Sequence, residues 1–213
     1  MAVLALGLAL VGCGDDAEPE RESEEPVGTP FQSESVDPPK GCPAPTDPGP
    51  HEYDAELHDE LVAMLERDQS GRTGGADEEG DQARTDRLKV IVAEFGWPGF
   101  DLVGEDGEDA AWAIAQHSDL DPDFQRCALT HLEVAVEAGQ GSPGNLAYLS
   151  DRVAVAAGEP QLYGTQVGCD PGGGKPKPST PLAKPERIDE LRAEADLEPY
   201  EDYLAEMEQI CGQ

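Results

Sequence analysis

Basic residues are scarce in this chain. Its 213 residues carry 14 Lys and Arg against 46 Asp and Glu, a formal charge of −32. The acids are spread over the chain from Asp15 onward, through loops and helices alike, so the field they create belongs to the whole surface. Such a field repels nucleic acid and anionic lipid, which excludes DNA and RNA as partners. Basic partners and divalent cations stay open, and at its simplest the charge describes a soluble, self-repelling surface. Aromatic residues are few as well, 5% of the total. No apolar run approaches the roughly 20 residues a helix needs to cross a bilayer.

Familiar catalytic and metal-binding signatures are also missing. There is no G-x-S-x-G elbow, and Gly172-Gly173-Gly174-Lys175 lacks both the following Ser/Thr and the spacing of a phosphate-binding loop. The acids between Asp77 and Asp81 miss the alternation and terminal Glu of a calcium loop. Neither C-x-x-C nor H-x-x-x-H occurs, so no zinc site is expected. His117 and His131 cannot share a helical metal face, because Pro122 interrupts the run between them. No cofactor is implied.

What is present begins at the N-terminus. Met1 to Leu10 is almost wholly apolar, and Leu10-Val11-Gly12-Cys13 follows with an acidic, proline-rich stretch behind it. The pattern resembles the lipobox of bacterial lipoproteins, although no Lys or Arg precedes the apolar run. The resemblance implies a signal peptide over 1–12, a lipid on Cys13 and an extracytoplasmic address in the cell envelope. Acyl chains would then supply the only membrane attachment. Residues 13–50 read as a disordered acidic, Pro-rich tether, too poor in large apolar side chains to offset the entropy of ordering. The domain proper is expected over 51–213.

Setting Cys13 aside leaves Cys42, Cys127, Cys169 and Cys211. An even remainder in an exported chain reads as two disulfides, and three pairings are open. The expectation is Cys42 with Cys211, tying the domain's entry to its last helix, and Cys127 with Cys169.

Along the domain the periodicity is helical. Leu57, Leu61 and Leu65 form one stripe through Gln69, followed by a Gly- and acid-rich loop from Ser70 to Gly80. Leu88, Ile91, Val92 and Phe95 make the next face, closed by Gly96 and Pro98. Gly99 to Gly107 reads as a turn-rich connection, before a short helix carrying Trp112 and Ala115. Asp121-Pro122 is the strongest local signal, an N-cap followed by a proline at the first helical position. That helix ends near Gly139, and one through Leu146 and Val153 ends at Gly158. Gln161 to Val167 alternates like a short strand, and Lys175 to Pro181 is its possible return. Two helices finish the chain, around Leu191 and around Tyr203. The fold class is therefore mainly α, about six or seven helices with one small β-hairpin or extended excursion near 161–181.

Polar residues gather around the aromatics in four segments: Gly96-Trp97-Pro98, Trp112 with Gln116-His117, Asn145 to Arg152, and Gln161 to Gln166. In this order and spacing they resemble an uncharacterised family of bacterial domains found in secreted or lipid-anchored proteins, over roughly Leu57 to Leu204. The resemblance brings no activity. It implies that Trp97, Trp112, Gln116, His117, Asp151, Arg152, Tyr163 and Gln166 are family-pattern positions.

Physically, His117 near a helix end has a structural reading through the helix dipole. Its catalytic reading is a general base oriented by Asp119, Asp121 or Asp151. Asp151 and Arg152 point apart on their helix, and one of them is expected to reach Gln161, Tyr163 or Gln166. Such a network either specifies the fold or, opened to a cleft, lines a ligand pocket. Three functions follow. The first is a lipid-anchored binding or interaction module for a small-molecule or protein ligand. The second is a small hydrolase-like enzyme around His117, Asp151 and Gln166, and the third a structural envelope protein.

Overall fold

The computed structural model describes residues 39–46, 49–169 and 175–212. The expected signal peptide, Cys13 and the expected tether up to residue 38 and at residues 47–48 lie outside the described residues. The architecture is mainly α, with seven helices and one two-stranded antiparallel sheet among those residues. None of these helices is long and apolar enough to cross a membrane.

The first five helices form the body: α1 (Ala55–Arg72), α2 (Gly80–Phe95), α3 (Phe100–Gln116), α4 (Pro122–Glu137) and α5 (Pro143–Ala157). Their starts follow from capping chemistry. Asp54 accepts the amides of Glu56 and Leu57, Asp121 that of Phe124, and Ser142 that of Asn145. Each satisfies a first-turn N–H that has no partner within the helix. Gly158 closes α5 in the left-handed conformation, with φ 75°.

α3 is the central element and packs against α1, α2, α4 and α5. Ala110, Ala111 and Ala115 are fully buried on it, so its neighbours approach closely. Around it Leu61, Leu88, Ile91, Leu132 and Leu149 are completely excluded from solvent. Each such side chain contributes about 1.5–3 kcal/mol of burial. The turn-rich connection expected over Gly99 to Gly107 is instead mostly helical. Only Gly104 interrupts it, with φ 74°.

The C-terminal part returns to this body. β1 (Val167–Gly168) pairs antiparallel with β2 (Lys177–Pro178), a 3-10 turn spans Pro185–Arg187, and α6 (Ile188–Glu194) and α7 (Tyr200–Cys211) follow. The strand expected from Gln161 is thus two residues long. The amides of Leu162, Tyr163 and Thr165 are taken by the Asp151 carboxylate, so no partner strand can use them. A second apolar cluster of Ala147, Tyr163, Leu191 and Ala195 joins α5, this segment and α6.

The disulfides are Cys42–Cys127 and Cys169–Cys211, which corrects the expected pairing. The chain enters beside α4, where His131 Nε2 lies 3.1 Å from the Pro43 carbonyl. α7 instead sits over the hairpin, its Tyr203 hydroxyl donating to the Thr165 carbonyl at 2.7 Å. Cys42 and Cys211 therefore belong to different edges of the domain. Residues 39–46, read in sequence as the end of the tether, are bound to α4 through the first bridge.

Candidate functional site

The buried stripe of α1 ends in a charge. Leu57, Leu61 and Met64 lead to Asp68, whose side chain has no solvent exposure. One turn later Arg72 grips that carboxylate, with Nε at 3.0 and 3.2 Å and Nη2 at 2.9 Å. From α2, the fully buried Arg84 holds Asp77 through two bonds of 2.8 Å and Asp81 through one of 2.6 Å. Its Nη2 also stands 3.7 Å from Asp68. Arg72 reaches Asp81 at 3.0 Å, so two guanidinium groups and three carboxylates form one network.

His117 closes the C-terminus of α3 and faces this network. Its Nδ1 is 2.9 Å from Asp68 Oδ2. Burial pulls the imidazole below its ordinary value, Asp68 pulls it back up, and the charges of Arg72 and Arg152 push it down again. The net direction is down, so the ring is neutral near pH 7. Arg72 Nε also lies 3.1 Å from this Nδ1; a neutral ring that donates Nδ1–H to Asp68 leaves the Nε2 lone pair available, whereas one that accepts from Arg72 carries its proton on Nε2. Nε2 has no hydrogen-bond partner among the described residues, and the side chain is 24% exposed. Burial alone would raise Asp68, but the bonds from Arg72 and the charges around it hold its carboxyl below the usual range.

The far side of His117 is built by α5. Arg152 Nε donates to Asp119 Oδ1 at 2.9 Å, its Nη2 bonds the other carboxylate oxygen, and its Nη1 donates to Gln166 Oε1 at 3.3 Å. Gln166 in turn donates to the Tyr148 carbonyl at 3.3 Å and to the Thr165 hydroxyl at 3.1 Å. The Tyr148 ring meets Trp112 edge-on, centroids 5.9 Å apart. Trp112, Gln116, His117, Arg152 and Gln166 thus belong to one locality between α3 and α5.

The other expected pocket residues are not gathered at His117: Asp151, Gln161 and Tyr163 support the segment that carries Gln166, and Trp97 lies apart at Glu108. Trp97 is buried and donates to Glu108 at 3.0 Å. Asp151 is buried and spends its carboxylate on three backbone amides and the Thr165 hydroxyl. Burial pushes its carboxyl up, against the downward pull of those bonds. Gln161, fully buried, bonds the Gln166 and Thr180 carbonyls and accepts the Gln166 amide. Tyr163 is buried, and its carbonyl accepts from Arg192 at 3.0 Å. Between them sits Gly164, with φ 66°, where a Cβ would come within 2.7 Å of the Tyr200 ring. Only glycine suits that position.

The sequence reading missed Asp68, Arg72 and Arg84. A signal was there: Asp68 continues the Leu57–Leu61 stripe at helical spacing, and a carboxylate on an apolar face must be paired. For metals, Cys42, Cys127 and His131 bring ligand atoms within 4.8 Å of one another, the one such group among the described residues. Their two sulfurs are joined to each other in a disulfide.

Compared with known proteins, residues 55–213 match the model of a family of unknown function, DUF6624. The chain belongs to that family. No curated protein matches it, and no solved structure does. The DUF6624 region opens at the first residue of α1 and contains every side chain of the His117 site from Asp68 to Gln166. Cys42 and all that precedes it lie outside DUF6624.

Proposed function

We propose that the chain is a lipid-anchored extracytoplasmic protein whose helical domain is a small hydrolase-like enzyme with His117 as its general base. One observation carries the catalytic reading: the 2.9 Å contact of His117 Nδ1 with the buried Asp68 carboxylate. A carboxylate in that position orients the ring and steadies the imidazolium formed on proton uptake, and the reading requires it to select the Nδ1–H tautomer against the Arg72 Nε–H that shares this nitrogen at 3.1 Å. Asp68 takes the orienting role that sequence reading offered to Asp119, Asp121 or Asp151.

In the step this supports, a water oxygen bonds to an electrophilic carbon of the substrate while its proton passes to His117 Nε2. The bond to the leaving group breaks, and the same proton goes to the departing atom. Arg72 and Arg152 flank the ring and favour negative charge developing beside it. Export is supported by the lipobox-like run ending at Cys13.

A module that binds without turnover is favoured by the ion pairs of both flanking arginines, Arg72 with Asp81 and Arg152 with Asp119. Turnover of an ester and amide panel decides between the two. His117→Ala is expected to lower the rate by about 10²–10⁴. The wild-type rate should rise with pH about a midpoint below 6.5, where the lowered imidazole becomes a free base. Equal rates in wild type and His117→Ala overturn the catalytic reading. Mass spectrometry of the membrane fraction tests the anchor: an acylated Cys13 is expected, and an unmodified chain retaining Met1 refutes it.

A further inference from the structure

A cavity of about 330 Å³ lies where residues 39–43 meet α2 and α4. Pockets that hold small molecules run from about 300 to 1,000 Å³. This one shares no residue with the His117 site, and the wall from residues 39–43 lies outside the DUF6624 region.

That wall is fixed in two ways. The Cys42–Cys127 disulfide ties it to α4, and His131 Nε2 stands 3.1 Å from the Pro43 carbonyl. A tight turn shapes it: the Cys42 amide donates to the Pro39 carbonyl at 3.0 Å, and Gly41 takes the third place with φ 97°. Lys40 sits at the tip of this turn and lines the cavity. A wall held by a covalent clasp costs an entering ligand little ordering.

The facing surfaces are apolar. Val92 of α2 and Phe124 of α4 line the cavity, beside the disulfide itself. Of the four charged side chains at the cavity, three are already paired. Lys89 Nζ bonds Asp121 at 2.6 Å and Asp86 at 3.0 Å, and Asp123 bonds Arg126. Lys40 is exposed, and its ammonium has no partner among the described residues. The cavity thus pairs an apolar lining with one unspent positive charge.

We propose that this cavity binds a small apolar monocarboxylate, with the carboxylate on Lys40 Nζ and the apolar body against Val92 and Phe124. At about 30 Å³ for each water-sized group, the volume suits a ligand of about ten non-hydrogen atoms. The field of the whole chain works against this preference, since a charge of −32 attracts cations and repels anions. A carboxylate favoured at this place reports Lys40 and not the surface at large.

The test uses 3-phenylpropanoate, 3-phenylpropanamide and 3-phenylpropylamine, which share a ring and differ at the polar end. Each is titrated into the folded protein and followed by NMR. The acid is expected to shift the Val92 and Phe124 amides saturably. It should bind about fivefold tighter than the amide, equivalent to about 1 kcal/mol for an exposed ion pair, and the amine should bind weakest. Lys40→Gln should erase the preference for the acid, and Lys40→Arg should retain it. Lys40 is exposed, so neither change threatens the fold. Cys42→Ser with Cys127→Ser opens the clasp and should abolish binding of the acid, whereas Cys169→Ser with Cys211→Ser should preserve it. Equal binding of acid and amide, tightest binding of the amine, or no saturable shift at Val92 and Phe124 overturns the proposal. So does a preference that survives Lys40→Gln, or undiminished binding of the acid once the clasp is open.

Discussion

His117 Nδ1 and Asp68 Oδ2, 49 residues apart in the chain, meet at 2.9 Å at the junction of α1 and α3. The carboxylate is fully buried and shared with Arg72, whose charge opposes protonation of the ring while Asp68 favours it. The contact therefore orients the imidazole, while burial keeps the ring neutral against the upward pull of Asp68.

Asp68→Asn should expose that balance. Without the carboxylate, the upward pull on His117 is gone, and its titration should move further below that of a free imidazole. An NMR pH titration of the ring reads this directly, and an unmoved or raised midpoint contradicts the geometry. Arg72 and Arg84 also lose a shared partner, one of them fully buried. The cost in stability should be about 3 kcal/mol, as for other broken buried pairs.

Glu108 supplies a pH dependence of opposite sign. It is buried between Trp97 and Asn145, and burial pushes its carboxyl from 4.5 up to about 7. The folded protein thus holds the proton more tightly than the unfolded chain does. Its contribution to stability is complete below pH 4.5 and is lost as the pH rises through about 7. His117 and His131, lowered mainly by burial, act the other way, since folding disfavours their protonated forms. Glu108→Gln isolates the carboxyl because both histidines remain. Relative to wild type, the variant should gain about 3 kcal/mol between pH 4.5 and pH 8. Paired thermal melts check it, and a gap that does not change with pH contradicts the assignment.

Asp151→Ala tests the support beneath the site. The carboxylate accepts from Leu162 N at 2.7 Å, Thr165 N at 2.9 Å and Thr165 Oγ1 at 3.1 Å. Its removal leaves several buried donors unpaired and should cost about 4 kcal/mol. Hydrogen exchange should quicken at Leu162, Tyr163 and Thr165, while Leu129 and Leu132 of α4 stay protected. Uniform loss of protection would mean that Asp151 supports the whole body rather than this segment.

The parts of the fold legible in sequence were those decided by neighbouring residues. Asp121-Pro122 announced α4 and Gly158 ended α5, because caps act within one turn. The strand from Gln161 was overestimated because a side chain on another helix, Asp151, claimed its amides. Asp68 was missed for a related reason: a carboxylate on α1 looks like surface until α2 and α3 cover it. Trp112, Gln116, His117, Arg152 and Gln166 stood out in sequence because polar residues concentrate around the aromatics there and because they are positions of the resembled family's pattern.

Disulfide pairing is the clearest case of information held only in tertiary structure, and it yields the most direct chemical check. Non-reducing peptide mapping should recover Cys42 linked to Cys127 and Cys169 linked to Cys211. The bridges close separations of 85 and 42 residues. Loop-closure entropy gives them about 4.5 and 4 kcal/mol respectively. Cys42→Ser with Cys127→Ser should therefore lower the melting temperature at least as far as Cys169→Ser with Cys211→Ser. The two pairs should differ more in where they loosen the protein. The first releases residues 39–46 from α4 and leaves the hairpin protected. The second frees the end of α7 from Cys169 and loosens the segment that carries Gln166 into the His117 site. If activity or ligand binding at that site responds to the first pair and ignores the second, Gln166 and its strand do not hold Arg152 in place.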